Sequence, residues 1–217
     1  MNISRILTSG GLIALGAAGA LAVSTFTSSA PADASAPSAS PVSFSTGGLA
    51  AGEIDSVHSG VVFRIMHIGA APFRGMFSDV EGTLVVDPKN PGDTEVDVTI
   101  NIDSVWTGSN GRDEHLRSAD YFNARQFPTS TFKATGGKAS GDDSVTVDGE
   151  LTLLGKTLPV SATITRTGEG QARGNRILGY EATMSFKRSD FGMTTSIDNG
   201  GLGDQVDLII FIETAAE

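Results

Sequence analysis

The chain has no cysteine, three histidines, one tryptophan and two tyrosines in 217 residues. Without thiols, no disulfide can staple the fold, and no thiolate can attack a substrate or hold a metal. Packed side chains must carry stability alone. Attachment of lipid through an N-terminal cysteine is excluded as well. Basic residues are also short: 15 Lys and Arg stand against 25 Asp and Glu, a net charge of −10. Such a surface repels phosphate backbones and argues against nucleic acid as a partner. Few aromatics means few stacking platforms for bases. No G-x-S-x-G elbow occurs, and G-G-L-G-D at 200–204 does not carry a strand into a helix as a phosphate cradle requires.

Charge is nearly absent from one whole region. Arg5 is the only charged residue before Asp33, and a small-residue apolar run lies between them. A short basic start, an apolar centre and small residues at Ser28-Ser29-Ala30 or Ala32-Asp33-Ala34 describe an export signal over residues 1–30. The same run is long enough for a bilayer span of ~20 residues, so an uncleaved anchor stays open. Residues 31–51 are rich in Ala, Ser and Pro, with too little apolar bulk to offset the entropy of ordering. They read as a disordered tether. Loss of residues 1–30 leaves 14 basic against 25 acidic residues, a charge of −11. The expected location is periplasmic or secreted, and the folded unit is residues 52–217.

In that unit the dominant signal is alternation. Val61, Phe63, Ile65 and His67 share one strand face; Val62, Arg64, Met66 and Ile68 share the other. Val80, Gly82, Leu84 and Val86 alternate with Asp79, Glu81, Thr83 and Val85. Val96, Val98, Ile100 and Ile102 are separated by Asp97, Thr99 and Asn101. Strict period-two patterning gives each strand one dry and one wet face. The pattern returns at Val145–Leu153, at Leu158–Ile164, at Tyr180–Phe186 and at Val206–Ile212. Leu154-Gly155-Lys156-Thr157 reads as a tight turn, and the glycine-rich stretch 168–175 as another.

One block breaks the alternation. R-D-E-H-L-R-S-A-D-Y-F-N-A-R-Q-F-P, residues 112–128, is dense in charge, with Leu116, Ala119 and Phe122 near helical spacing. It predicts one short helix near 111–124, capped by Ser109 or Asn110. Its interleaved Arg and Asp/Glu predict ion pairs that pin the helix. Acid–base work by Asp113, His115 or His67 is the catalytic alternative. His58 and His67 are nine residues apart, which puts them on opposite faces of an unbroken strand, so no metal site is expected. His67 reads instead as a hydrogen-bonded group at a rim.

About eight antiparallel strands with short connections predict an all-β fold, an up-and-down barrel in preference to a Greek-key sandwich. Such a barrel either fills its lumen or keeps room for one ligand. Gly82, Gly149 and Ala182 leave space for a cavity, or the glycines mark bends. Alternation assigns Val61, Phe63 and Ile65, then Val98 and Ile100, to the lumen. Leu151 and Leu153, Met184 and Phe186, and Leu208 and Ile210 complete the set. His67, Arg112 and His115 are the polar candidates at a mouth.

V-V-F-R-I-M-H-I-G, R-G-M-F and V-E-G-T-L resemble the opening of the YceI-like family. The resemblance continues through R-D-E-H-L-R-S-A-D-Y-F, Q-F-P-T-S-T-F, V-D-G-E-L-T-L-L-G-K-T-L-P-V, R-S-D-F-G-M and D-Q-V-D-L-I-I, so it covers about 53–213. It implies an eight-stranded antiparallel lipocalin-like barrel that binds, sequesters or transports a long apolar lipid, polyisoprenoid or quinone-like. It implies no cofactor and no established catalysis. A homodimer, a lipid-modifying enzyme and a stress-related interaction protein with a filled lumen are the remaining readings.

Overall fold

The computed structural model describes residues 52–172 and 174–216. The expected signal and tether, 1–30 and 31–51, lie outside the described residues. The strands are β1 (Gly60–His67), β2 (Ala71–Phe77), β3 (Val80–Val85), β4 (Glu95–Asn101), β5 (Val105–Trp106) and β6 (Thr129–Thr135). They continue with β7 (Lys138–Gly141), β8 (Ser144–Leu153), β9 (Lys156–Ala172), β10 (Asn175–Lys187) and β11 (Leu202–Ala216). One helix, α1 (Asn110–Arg117), lies between β5 and β6.

All pairings among these strands are antiparallel, in the order β3-β4-β6-β8-β9-β10-β11-β1-β2-β5, with β7 a spur on β8. The two ends of that order meet through the chain. β3 follows β2 after two residues, and β5 follows β4 after one 3-10 turn. β2–β3 is thus one long strand that pairs first with β1 and then with β4. Its partner β4–β5 returns to β2 through Met76↔Trp106 and Phe77↔Val105. Counted as long strands there are eight, each beside its neighbours in sequence, so the sheet is an up-and-down barrel. The eleven segments are these eight, two of them broken where they change partner, plus the spur β7.

The gap between β3 and β11 is bridged by Gly52–Asp55. Ile54 donates to the Gly82 carbonyl and Asp55 to that of Glu213, at 3.0 and 2.8 Å. Gly82 permits the bend there. Its φ is +126°, and a Cβ would sit 2.0 Å from the Asp97 carbonyl oxygen. Gly149 likewise leaves no void, because the Phe132 ring occupies the position of its missing side chain. Neither glycine makes lumen space: Gly82 marks a bend, as the second sequence reading has it, and Gly149 a close approach of the Phe132 ring.

The inward faces follow the alternation. Val96, Val98, Ile100 and Ile102 are buried, as are Val145, Val147, Leu151 and Leu153. Three local expectations are corrected. The helix ends at Arg117 rather than 124, because Ser118 turns extended and its hydroxyl bonds back to the His115 carbonyl at 2.7 Å. Asn123, at φ 46°, then reverses the chain. The glycine-rich stretch is mostly strand: β9 runs to Ala172, and Glu169 bridges Arg166 and Arg176 across the hairpin. The arginines of the helical block bind mostly carbonyl groups, not its acids, as described next.

Candidate functional site

The barrel has a base and a mouth. At the mouth lie the β1–β2 turn, α1 with the turns after it, the β8–β9 turn and the 188–201 connection. The helix and the 188–201 connection are each held there by specific bonds. Arg112 donates to the Thr107 hydroxyl and carbonyl, both at 2.8 Å, and lies over the Phe73 ring at 4.5 Å. Arg117 donates to the carbonyls of Asp103 and Val105, both at 3.0 Å. Asp113 is buried and accepts from the Thr107 hydroxyl. The helix is therefore docked by side chain to main chain bonds on β5 and the turn before it.

The 188–201 connection is organised by Arg188, which is 1% exposed. Its guanidinium donates to the carbonyls of Gly203, Met193 and Thr195 at 2.8, 3.1 and 2.8 Å. Burial pulls its pKa down, with Tyr121 and Asp204 opposing, and an arginine stays charged regardless. Asp204 holds Ser189 through its N–H and hydroxyl. No strand or helix period runs through 190–204 in the sequence. A charged residue just after an alternating strand reads as surface, so no local signal marked Arg188.

Beneath these elements lies a cavity of about 380 Å³, within the range of small-molecule sites. Of the residues assigned from sequence, it is lined by Val61, Phe63, Ile65, Ile100, Leu151, Leu153, Phe186 and Leu208. His67, Arg112 and His115 also line it, among its few polar groups. Val98, Met184 and Ile210 face a second, smaller space of about 40 Å³ below it. Val61, Ile100, Leu151 and Leu208 line both, so they form a waist. Tyr180 lies at the lower space, its hydroxyl 3.4 Å from the Val86 carbonyl. Burial raises its pKa above the ordinary 10.0, and it stays neutral.

Sequence reading missed much of the aromatic upper wall. Phe77 meets Phe63 at 5.8 Å and Phe122 edge-on at 5.4 Å. Phe73, Leu116, Tyr121 and Met193 also line the cavity. Phe77 lies on a strand interrupted by Gly75, and Phe122 lies beyond the helix end. The first has no clean period, and the second has the spacing of a helix that stops at Arg117.

His67 is at the rim, but its ring makes no hydrogen bond among the described residues, contrary to expectation. His115 pairs with Asp120 at 3.0 Å in solvent and stacks edge-on against Tyr121. His58 is at the base, where Asp55 accepts from its Nδ1 at 2.8 Å and from the Val57 N–H at 2.9 Å. With Glu213 these form the one group among the described residues that could hold a metal ion, its ligand atoms all within 4.8 Å of one another. Both oxygens of Asp55 already serve that clasp.

Among the described residues, the four non-glycine residues with positive φ, Ile68, Asn123, Leu154 and Ser196, all lie at the mouth. For β-branched Ile68, at 46°, the conformation costs about 1–2 kcal/mol. Strain of this kind concentrates at binding sites.

An up-and-down barrel with an apolar lumen, open beneath a short helix, defines a lipocalin-like binding barrel. The chain belongs to the YceI-like domain family, whose model matches residues 53–214. Protein YceI of Salmonella arizonae is 41% identical over 175 residues, covering 78% of this chain and 90% of that protein. Among solved structures, BcnA of Burkholderia cenocepacia is similar with a TM-score of 0.67 at 22% identity, over 74% of this chain and 99% of that one. A polyisoprenoid binding domain from Saccharophagus degradans, implicated in plant cell wall breakdown, has a TM-score of 0.56 at 17% identity, over 76% and 98%.

Proposed function

We propose that the protein binds a long apolar lipid, polyisoprenoid or quinone-like, in its lumen and sequesters or transports it without altering it. The observation that carries this is the lumen itself: a mostly apolar wall around a cavity of about 380 Å³, with His67, Arg112 and His115 among its few polar groups. Burying apolar surface is worth ~25 cal/mol per Å², so a flexible hydrocarbon needs no charged partner to bind tightly. The shared fold of the Saccharophagus degradans domain supports the same class of ligand. Two of the three candidate acids and bases are engaged elsewhere: Asp113 with Thr107, and His115 with Asp120. We read the barrel as exported to the periplasm or beyond, on the pattern of residues 1–30.

Mass spectrometry of organic extracts of the purified protein tests this. Co-purifying prenyl chains, or stoichiometric uptake of an added polyprenol, is the expected result. Protein that neither carries nor acquires such a chain would reject the proposal. A homodimer is the further partner proposed. Exposed Trp106 and Ile209 and half-buried Met76 and Val62 lie in register across the outer wall, and sedimentation equilibrium would show whether pairing covers them.

A further inference from the structure

We infer that the open end of the barrel docks on a lipid bilayer, with Ile68 as the residue that enters it. This rests on the lipid-binding reading and adds the surface from which the lipid is taken.

Three observations converge. First, Ile68 is 62% exposed and also lines the cavity. One apolar side chain in water is unremarkable on its own. This one is held out by the backbone: its φ is 46°, and its N–H donates to the Gly201 carbonyl at 3.0 Å. A β-branched residue is a poor choice for that conformation, and Gly or Asn would fit with less strain. Second, the turn that carries it has no fixed charge of its own. From Met66 to Phe73 the turn reads M-H-I-G-A-A-P-F.

Third, charge is partitioned along the barrel. The mouth segments, residues 66–74, 107–128, 152–157 and 187–205, contain seven Lys or Arg and six Asp or Glu, a net +1. The other described residues contain six and seventeen, a net −11. A molecule this acidic is repelled by anionic headgroups in most orientations. The mouth is the end that can approach, with the acidic body turned away. The exposed apolar tip then meets the acyl boundary, as interfacial apolar residues do. A long lipid can pass from bilayer to lumen without crossing water.

The absence of native cysteine gives a direct test in the full chain. Ile68→Cys and Val57→Cys are each labelled with an environment-sensitive dye. Val57 is 76% exposed and lies at the base. With mixed phosphatidylcholine–phosphatidylglycerol vesicles, emission at position 68 should shift blue and rise about twofold or more, while position 57 stays unchanged. No response at 68, or a larger one at 57, overturns the proposal. So does a shift at 68 that needs no vesicles and grows with protein concentration, which would mean that a second copy covers the tip.

A second measurement separates docking from binding. Ile68→Asp should slow extraction of a fluorescent polyprenol from those vesicles about tenfold. Because Ile68 also lines the cavity, uptake of the same probe delivered from ethanol is the baseline: extraction should fall at least about fivefold further than that uptake, and an equal fall in both overturns docking. Extraction at the wild-type rate overturns docking alone. Wild-type protein that takes up no probe from either source overturns the lipid-binding reading, and the dye labels still decide docking.

Discussion

At the base, the barrel is held by main chain on main chain: Gly52–Asp55 bridges β3 and β11, and positive φ is left to glycines such as Gly52 and Gly82. At the mouth, arginine side chains bind loop carbonyls, ring faces replace ladders, and four non-glycine residues sit at positive φ. The base is built for stability and the mouth for shape. Charge follows the same division, since almost the whole acidic excess lies away from the opening. Strand pairing closes one end at little conformational cost; an opening needs irregular chain, and irregular chain has to be pinned.

The largest effect is expected at the waist, where the two ends meet. Ile100→Arg puts an unpaired charge in the lumen and should lower stability by about 3–5 kcal/mol and abolish lipid uptake. Thr99→Arg, one residue away on the outer face, should stay within about 0.5 kcal/mol. Urea denaturation and a fluorescent-lipid titration read both, and equal effects would break the inward assignment.

Arg188→Met removes the cation that organises the mouth. It should cost about 2–4 kcal/mol, with hydrogen exchange accelerating first in 189–201. If the β3–β4 amides at the base accelerate equally, the ends are not separable. Gly82→Ala is the matching lesion at the base, where a Cβ meets the Asp97 carbonyl at φ +126°. We expect about 2–3 kcal/mol by thermal melting, with exchange in 189–201 unchanged.

A smaller effect comes from pH. Burial works to raise the Asp204 carboxyl, but the Ser189 N–H and hydroxyl outweigh it and hold the pKa below its ordinary 3.8. The group is anionic in the folded state where it would already be protonating in the unfolded one. Its stabilisation is complete above 3.8 and is lost as pH falls from there through the folded value. Exchange in 188–204 should therefore be flat from pH 7 to about 4 after correction for the intrinsic rate, and rise below. The smallest effect is expected at the tip. Ile68→Asn relieves strain and should leave stability unchanged or raise it by up to about 1 kcal/mol. A loss of more than that, read by thermal melting, would mean that the turn needs the isoleucine for packing.

The sequence made the base more legible than the mouth. Val96 to Ile102 could be placed because a strand's period of two depends on the strand alone, and burial then follows from which face is apolar. The order of strands followed from short connections. At the mouth the decisive contacts are between distant segments. Ser118 ends the helix by bonding back to His115, which propensity over 111–124 does not reveal. Phe132 fills the space beside Gly149 from a neighbouring strand, so a glycine that suggested a void marks a packed position. Arg188 is buried only because a dozen later residues wrap around it. The fold therefore needed alternation and connection length, while the site needed coordinates.

The clasp at the base also sets where anything joined to this molecule emerges. The Gly52 N–H donates to the Ala215 carbonyl at 2.8 Å, so the first and last described segments run side by side, at the far pole from the entrance. A fusion partner joined after the last strand, or a short peptide splicing the two described segments, would attach at that pole. Circularised or immobilised in this way, the cup would stand upright with its opening clear.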